Sequence, residues 1–364
     1  MDLPNDDDRL QGLRTRIDEV DAEILHMITA RAQLAKEVAA AKGNDHEPDA
    51  YYRPEREAQV LRKIISKNKG PLSDEEIARL FREIMSACLA LQQPLNVAFL
   101  GPEGTFTHAS VHKHFGNSVQ ALPMGTIDEV FREVEAGACH YGVVPVENSI
   151  EGVVNHTLDM FVNSPLKICG EVELRIHHHL LGKNVTPREI TRVFAHEQAL
   201  AQCRRWLNSH LAHAERVAFA SNAEAARRAV GEPAAAAIAG DAAATIYGLE
   251  HLVRNIEDEA DNTTRFIVIG HQSVPPSGDD KTSLIFSTPN RPGALYHLLA
   301  SFAEYGISMM RIESRPSRRG MWEYFFFVDI EGHLRDEVVA QALKALKERA
   351  AMLKVLGSYP RAVL

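Results

Sequence analysis

The chain is short of positive charge, of cysteine and of long apolar runs, and each shortage removes a class of function. Its 40 lysines and arginines face 49 aspartates and glutamates, a formal net charge of −9 with a pI near 6.0. Nucleic-acid binding needs a basic face for phosphates and is not expected, whereas an anionic small molecule held by a few focused cations is compatible with this balance. Cys88, Cys139, Cys169 and Cys203 lie far apart, without the close pairs of zinc or redox motifs, and are expected as reduced core residues. No stretch has the length of an apolar bilayer span, and the acidic start Met1 to Asp8 lacks the apolar segment of a secretory leader, so a cytoplasmic, membrane-free protein is expected. At 364 residues the chain should hold roughly two or three domains.

What is present begins with a helix. From Arg9 to Lys42, the residues Leu10, Leu13, Ile17, Val20, Ile24, Met27, Leu34 and Val38 recur at steps of three and four. Such a helix would be on the order of 50 Å long, more than one small domain shelters, so its stripe is expected to meet a second subunit. Ile17, Ile24 and Arg31 follow each other at sevens, which puts Arg31 on the apolar seam, with Lys42 about three turns later on the same face and Arg14 at its edge. Three cations on one seam point to an anion site. Pro54 opens a second helix carrying Arg56 and Glu57, and the Ser73/Glu76 pair caps a third that ends before Pro94.

From Leu95 onward short apolar runs alternate with helical segments, an α/β texture. The strand Val97 to Leu100 leads into Gly101-Pro102-Glu103-Gly104-Thr105-Phe106-Thr107, a turn at a helix start whose backbone amides attract anions. Tyr141 to Val144 leads into Pro145-Val146-Glu147-Asn148-Ser149-Ile150-Glu151-Gly152, which packs a carboxylate, an amide and a hydroxyl where open α/β sheets bind ligands. Cys169 to Leu181 reads as one long strand. It carries His177-His178-His179, of which the first and third share a face, but no third ligand lies nearby and a metal is not expected. The run His196 to Leu207 reads as one helix with Gln198 and Gln202 a turn apart. Asp261-Asn262-Thr263-Thr264-Arg265-Phe266 then sets hydroxyls, an amide and a cation at the entry to an apolar strand. Gln272 to Asp280 is a linker by composition. The remainder orders as β-α-β-β-α-β, with strands Thr282 to Ser287, Ile307 to Glu313, Trp322 to Ile330 and one near Val355, and helices Ala294 to Tyr305 and Leu334 to Arg349.

On these motifs the chain resembles, over essentially its whole length, the bifunctional chorismate mutase/prephenate dehydratase family with a C-terminal ACT domain. Gly101 to Thr107, Pro145 to Gly152 and Asn262 to Phe266 carry the dehydratase likeness, and Pro292-Gly293-Ala294-Leu295 with Glu313-Ser314-Arg315-Pro316 the ACT likeness; the helical part matches more loosely. The resemblance implies a multidomain protein. An all-α three-helix chorismate mutase, an intertwined helical dimer, would occupy 1–93, and an α/β two-lobed, periplasmic-binding-protein-like dehydratase 94–271. A linker would span 272–280 and an α+β ferredoxin-like ACT domain 281–364.

It also implies that chorismate becomes prephenate and then phenylpyruvate without a cofactor, with phenylalanine as feedback inhibitor and a homodimer or homotetramer as the assembly. In the mutase, Arg14 from one subunit and Arg31 from the other would hold the carboxylates, Lys42 and Gln92 would donate to the breaking ether, and Glu57 would take the hydroxyl, beside Arg56. A pericyclic step needs such clamping and charge stabilisation and no nucleophile. Cys88 and Arg53 stand where the family often has serine and aspartate, lining the same pocket. In the dehydratase, Thr264 would donate to the leaving hydroxyl, among Thr105, Thr107, Glu147, Asn148, Ser149, Gln198, Gln202, Asn262 and Arg265 as substrate contacts. Arg265, the next residue of an extended chain, can face the other way. Gly293, Ala294, Leu295, Glu313, Ser314, Arg315 and Pro316 would hold phenylalanine between subunits, with Tyr296 where valine is common. Rival readings are a non-catalytic aromatic amino acid sensor and a dehydratase with a decayed mutase.

Overall fold

A computed structural model describes residues 6–42, 52–288, 291–316 and 324–363. The helical part begins with α1 (Asp6–Lys42), a single long helix. The stripe read from the sequence is uncovered in one chain: Leu10, Ile17, Ile24, Met27 and Leu34 are all at least half exposed. α2 (Pro54–Lys67) starts on its proline, and α3 (Asp74–Ala90) on Ser73, whose hydroxyl accepts from the Glu76 amide. Just ahead of α2, the Tyr52 ring packs tilted against Phe115 and edge-on against Tyr141, with centroids 5.1 and 5.3 Å away, so the root of the helical part lies in the next domain's core.

That next domain has two lobes. The first is built from β1 (Asn96–Leu100), α4 (Phe106–Phe115), β2 (Gln120–Met124), α5 (Ile127–Glu135), β3 (Tyr141–Asn148), β4 (Gly152–Val153), α6 (Asn155–Asn163) and β5 (Lys167–Arg175). The second holds β6 (His179–Gly182), β7 (Arg192–His196), α7 (Glu197–Gln202), α8 (Arg204–His210), β8 (Glu215–Phe219), α9 (Asn222–Ala229), β9 (Ala235–Ala239), α10 (Asp241–Tyr247) and β10 (Glu250–Val253). The chain then returns to the first lobe as β11 (Thr263–Gly270), antiparallel between β3 and β5. The sheet orders are β2-β1-β3-β11-β5 and β10-β6-β9-β7-β8.

Two expectations change here. Cys169 to Leu181 is two strands, β5 and β6, in different sheets; between them the Ile176 amide donates to the Asn262 carbonyl and the His178 amide to the Glu257 carboxylate, both on the returning crossing. Alternation alone does not reveal a change of sheet. His196 to Leu207 breaks at Cys203, because the Asp258 carboxylate accepts from the Arg205 and Trp206 amides and so starts a second helix.

The C-terminal part follows the expected order: β12 (Asp280–Ser287), α11 (Ala294–Glu304), β13 (Met309–Pro316), β14 (Tyr324–Glu331), α12 (Glu337–Arg349) and β15 (Met352–Pro360), with sheet order β13-β14-β12-β15. Trp322, expected in the third strand, lies outside the described residues. One face of this sheet packs under α11 and α12 through Leu284, Phe286, Leu298 and Phe302. From the other face Ile285, Phe325, Phe327, Leu356 and Tyr359 join Phe131, Val144, Phe161 and Ile267 of the first lobe in one core. A Cβ on Gly357 would lie 2.2 Å from the Ile168 carbonyl, so only glycine fits where β15 crosses β5. The linker is likewise a structured joint: Asp280 accepts from the Ser277 amide and hydroxyl, and Arg62 of α2 donates to the Ser277 hydroxyl at 3.0 Å and the Asp279 carbonyl at 2.7 Å.

The helical part and first lobe also meet at His114, whose Nε2 lies 3.0 Å from the Tyr52 hydroxyl. Burial, and secondarily the Arg82 guanidinium, push this imidazole down to about 3. The folded state therefore holds it neutral, while the unfolded side chain protonates near its ordinary value of about 6.5. Its stabilisation is complete above that value and is lost as pH falls toward 3. The melting temperature is expected to decline from pH 7 to 5, and His114→Gln to flatten that decline; an unchanged slope would remove His114 from this role.

Candidate functional site

A cleft of about 930 Å³ lies between the lobes, and the carboxyl end of β3 and the amino end of the antiparallel β11 point into it. The pairing of β3 with β11 sets Thr264 opposite Asn148 and Arg265 opposite Glu147, then skips Val146 and resumes at Phe266 opposite Pro145. This bulge reverses the alternation of β3: Val144 and Val146 face the ACT side, Glu147 does so as well, and Asn148 is turned into the cleft beside Thr264.

The amide of Asn148 has one orientation. Its Oδ1 accepts from the backbone amides of Ile150 at 3.0 Å and Glu151 at 3.1 Å, a local turn that pins the carbonyl end. Its Nδ2 therefore donates to Thr264 Oγ1 at 2.7 Å and to Asn262 Oδ1 at 2.8 Å. With a donor already on its oxygen, the Thr264 hydroxyl keeps its proton for whatever occupies the cleft. Asn262, 1% exposed, continues the chain by donating to Gln202 Oε1 at 3.2 Å. Gln202 and Gln198, on α7 in the opposite lobe, both donate to the Glu151 carboxylate and so link the two lobes across the cleft. Because Gln202 Oε1 accepts from Asn262, the contact of His178 Nε2 to the same oxygen at 2.7 Å is a donation by His178, whose basicity burial lowers.

Thr105 and Thr107 also line the cleft. The Thr105 hydroxyl caps α4, accepting from the His108 amide and donating to the Pro102 carbonyl at 2.9 Å. Gly104 has φ +84°, and a Cβ there would lie 3.2 Å from Ala243 on the facing lobe, so this turn needs glycine.

Glu147, Ser149 and Arg265, expected as substrate contacts, are placed elsewhere. Arg265 points away from the cleft into the interface with the ACT sheet, 2.9 Å from Glu171, 2.5 Å from Asp329 and 2.9 Å from the Tyr359 hydroxyl. Burial alone would raise the Asp329 carboxyl, but Arg265, with help from Ser283, holds it below its ordinary value. Glu147 pairs with Arg311 of β13 at 2.8 Å. Ser149 accepts from the Thr263 amide at 3.0 Å and fixes the entry to β11. In exchange, the cleft includes Glu151 and His178, which sequence reasoning did not select. Glu151 lay in a motif already recognised; His178 was hidden inside a histidine run read for metal.

Among the described residues, His179, Asp241 and His251 bring ligand atoms within 4.8 Å of one another. This set does not fit a metal. His179 Nδ1 accepts from the Asn255 amide at 3.0 Å, which leaves the ring proton on Nε2 facing Asp241, and Arg254 supplies the opposing charge at 3.2 Å.

In the helical part, Glu57 is engaged by Arg82 Nε at 3.1 Å; burial raises its carboxyl, and the cations of Arg82 and Arg31 oppose that. Arg31 is half-buried and reaches the Ile84 carbonyl, Cys88 is buried, and Arg53 is paired with Glu55 at 2.5 Å. Arg56 is exposed on α2 and Gln92 follows α3. Arg14 lies roughly 25 Å from Arg31 along the axis of α1, so one chain does not gather both at one site. The side chain of Lys42 lies outside the described residues. In the ACT part, Gly293 adopts φ +76° ahead of α11, with Ala294 buried, Leu295 half-buried and Tyr296 exposed. Ser314 and Pro316 are exposed on β13, Glu313 is half-buried between Arg311 and Arg315, and Arg315, expected at the effector, instead grips both oxygens of Asp159 on α6 at 2.9 Å.

Residues 13–93 match the family Chorismate mutase type II, residues 97–274 Prephenate dehydratase and residues 282–348 the ACT domain. A bifunctional chorismate mutase/prephenate dehydratase of Pseudomonas aeruginosa is 58% identical over 363 residues, covering 99% of this chain and 100% of the relative. Among solved structures, a prephenate dehydratase of Arthrobacter aurescens in complex with L-Phe aligns at 36% identity and TM-score 0.69 over 74% of this chain and 90% of its own. A protein described as a novel type of quorum quenching acylase aligns at 31% identity and TM-score 0.69 over 74% of this chain and 98% of its own. Fold-level likeness accommodates more than one chemistry, and identity along the full length with all three domains in order is the more specific finding. On that finding the chain belongs to the bifunctional chorismate mutase/prephenate dehydratase family and joins both enzyme domains to an ACT regulatory domain.

Proposed function

We propose that the interlobe cleft is the dehydratase site and that Thr264 is its hydrogen donor. The observation that carries this reading is the fixed amide of Asn148, which donates to the Thr264 oxygen and leaves its O–H free to donate into the cleft. Prephenate breaks two bonds: the electrons of the bond to the departing carboxylate flow into the ring as carbon dioxide leaves, and the ring C–O bond breaks as the ring becomes aromatic. The leaving oxygen needs a proton. A threonine hydroxyl is a weak acid, so its part is a preorganised donor and relay as charge develops on that oxygen. Asn262, Gln198, Gln202 and the start of α4 offer donors to the substrate carboxylates.

The helical part is proposed as a mutase shared between two copies of the chain. The uncovered stripe of α1 and the roughly 25 Å between Arg14 and Arg31 support it: the partner subunit's Arg14 would join Arg31, Lys42, Glu57 and Gln92. Arg53 and Cys88 do not argue for a decayed site, since Glu55 neutralises the first and the second is buried. The domains are drawn at 1–93, 94–271 and 281–364, with 272–280 as the joint. Phenylalanine is the proposed inhibitor, bound at Gly293 to Leu295 and Glu313 to Ser314, in keeping with the Arthrobacter complex. The buried free cysteines fit a reducing cytoplasm.

Asn148→Asp would set an acceptor against the Thr264 oxygen and draw its proton out of the cleft. A loss on the order of 100-fold in kcat for phenylpyruvate formation is expected, with mutase turnover retained. Thr264→Ala should do the same, and normal dehydration by either variant would reject the assignment. For the shared mutase, Arg14→Ala and Arg31→Ala should each be inactive, and mixing the two should restore about a quarter of the activity, because half the dimers then carry one intact site. Mixed protein as inactive as its components would contradict a site built from two subunits.

A further inference from the structure

Thr264 and Arg265 are consecutive residues of β11 serving opposite sides of one sheet, and Asn148 and Glu147 repeat this on β3 in direct register. The pair that shapes the hydroxyl donor and the pair that grips the ACT sheet therefore belong to the same two-residue step of paired strands. Neither strand can slide or tilt at one pair without moving the other.

The ACT side of this step is extensive. Arg265 meets Asp329 on β14 and Tyr359 on β15, and both of these bind the Ser283 hydroxyl of β12, at 2.5 and 2.7 Å. Glu171, on β5 next to β11, takes Arg265 together with Lys281 of β12 at 2.8 Å. β13 contributes Arg311 to Glu147 and Arg315 to Asp159, and the half-buried Glu313 lies between these two arginines. Glu313 to Pro316, the second half of the expected effector motif, thus lies on a strand that holds the first lobe with two ion pairs.

We propose that Arg265, Glu147 and Arg311 are positioning residues of the dehydratase: movement of β13 when the ACT domain takes phenylalanine passes through Arg311–Glu147 and Arg265–Asp329 to the Asn148–Thr264 pair. The motif arginine then acts on catalysis from behind the sheet and touches no substrate. This rests on the cleft being the dehydratase site.

Replacing Arg265 by alanine would leave the buried Asp329 carboxylate without its guanidinium partner, so the test uses the Glu147–Arg311 pair, whose carboxylate is partly exposed, in the full-length protein, as Glu147→Gln, Arg311→Gln and the charge-swapped Glu147→Arg/Arg311→Glu, with mutase turnover reporting the fold. Each single variant is expected to lower kcat for prephenate roughly fivefold or more with KM within about twofold, and to raise the half-inhibiting phenylalanine concentration by a similar factor. The swapped pair is expected to recover inhibition. A raised KM at unchanged kcat would show a substrate contact and overturn the proposal, as would single variants with wild-type kcat and inhibition. Wild-type protein that turns over no prephenate would instead overturn the reading of the cleft itself, which separates the two failures.

Discussion

A guanidinium held between two buried carboxylates sits where the dehydratase meets the ACT sheet, and the rest of the molecule is arranged around it. Removing one member of such a group costs about 3–5 kcal/mol, because the others stay buried and uncompensated, even where the intact group adds little net stability. Its worth here is geometric. Arg265 is satisfied only when β11, β5, β14 and β15 hold their present relation, with Tyr359 and Asp329 further tied to Ser283. The apolar core shared by the first lobe and the ACT sheet surrounds this group and keeps it out of water.

On the opposite side of the same strand the geometry is set by amides. Two backbone donors fix the carbonyl of Asn148, which fixes its NH₂, which fixes the free side of the Thr264 oxygen. The chain of amides then crosses to the second lobe at Gln202 and ends on Glu151. The arrangement is suited to a reaction whose driving force is aromatisation, where the protein has to hold donors at fixed points and shape the space between them.

Much of the architecture was legible because it rests on local physics. The stripe of α1, the cap at Ser73, and the β-α-β-β-α-β order were present as spacing and capping chemistry and appear in the fold. Strand alternation allowed Arg265 to face away from Thr264, as it does, although the resemblance had set it among the substrate contacts. What the sequence left hidden was non-local. The alternation of Cys169 to Leu181 runs unbroken although the chain changes sheets at Ile176 to His178. Glu147, Asn148 and Ser149 are adjacent in one motif, yet the skipped Val146 sends the first to the ACT sheet and the second to the cleft, while the third pins a backbone amide. Composition marked 272–280 as a free linker, but Asp280 and Arg62 satisfy its polar groups and turn it into a joint.

The central claim is that one strand carries both the catalytic hydroxyl and the regulatory contact, so that phenylalanine acts on the cleft through β3 and β11. Amide hydrogen exchange, followed peptide by peptide with and without phenylalanine, tests it most directly. The account predicts that phenylalanine changes exchange at Val144 to Glu151 and at Asn262 to Ile267 as well as along β13, and that Arg311→Gln confines the change to the ACT domain. A response restricted to the ACT domain in the wild-type protein would contradict it.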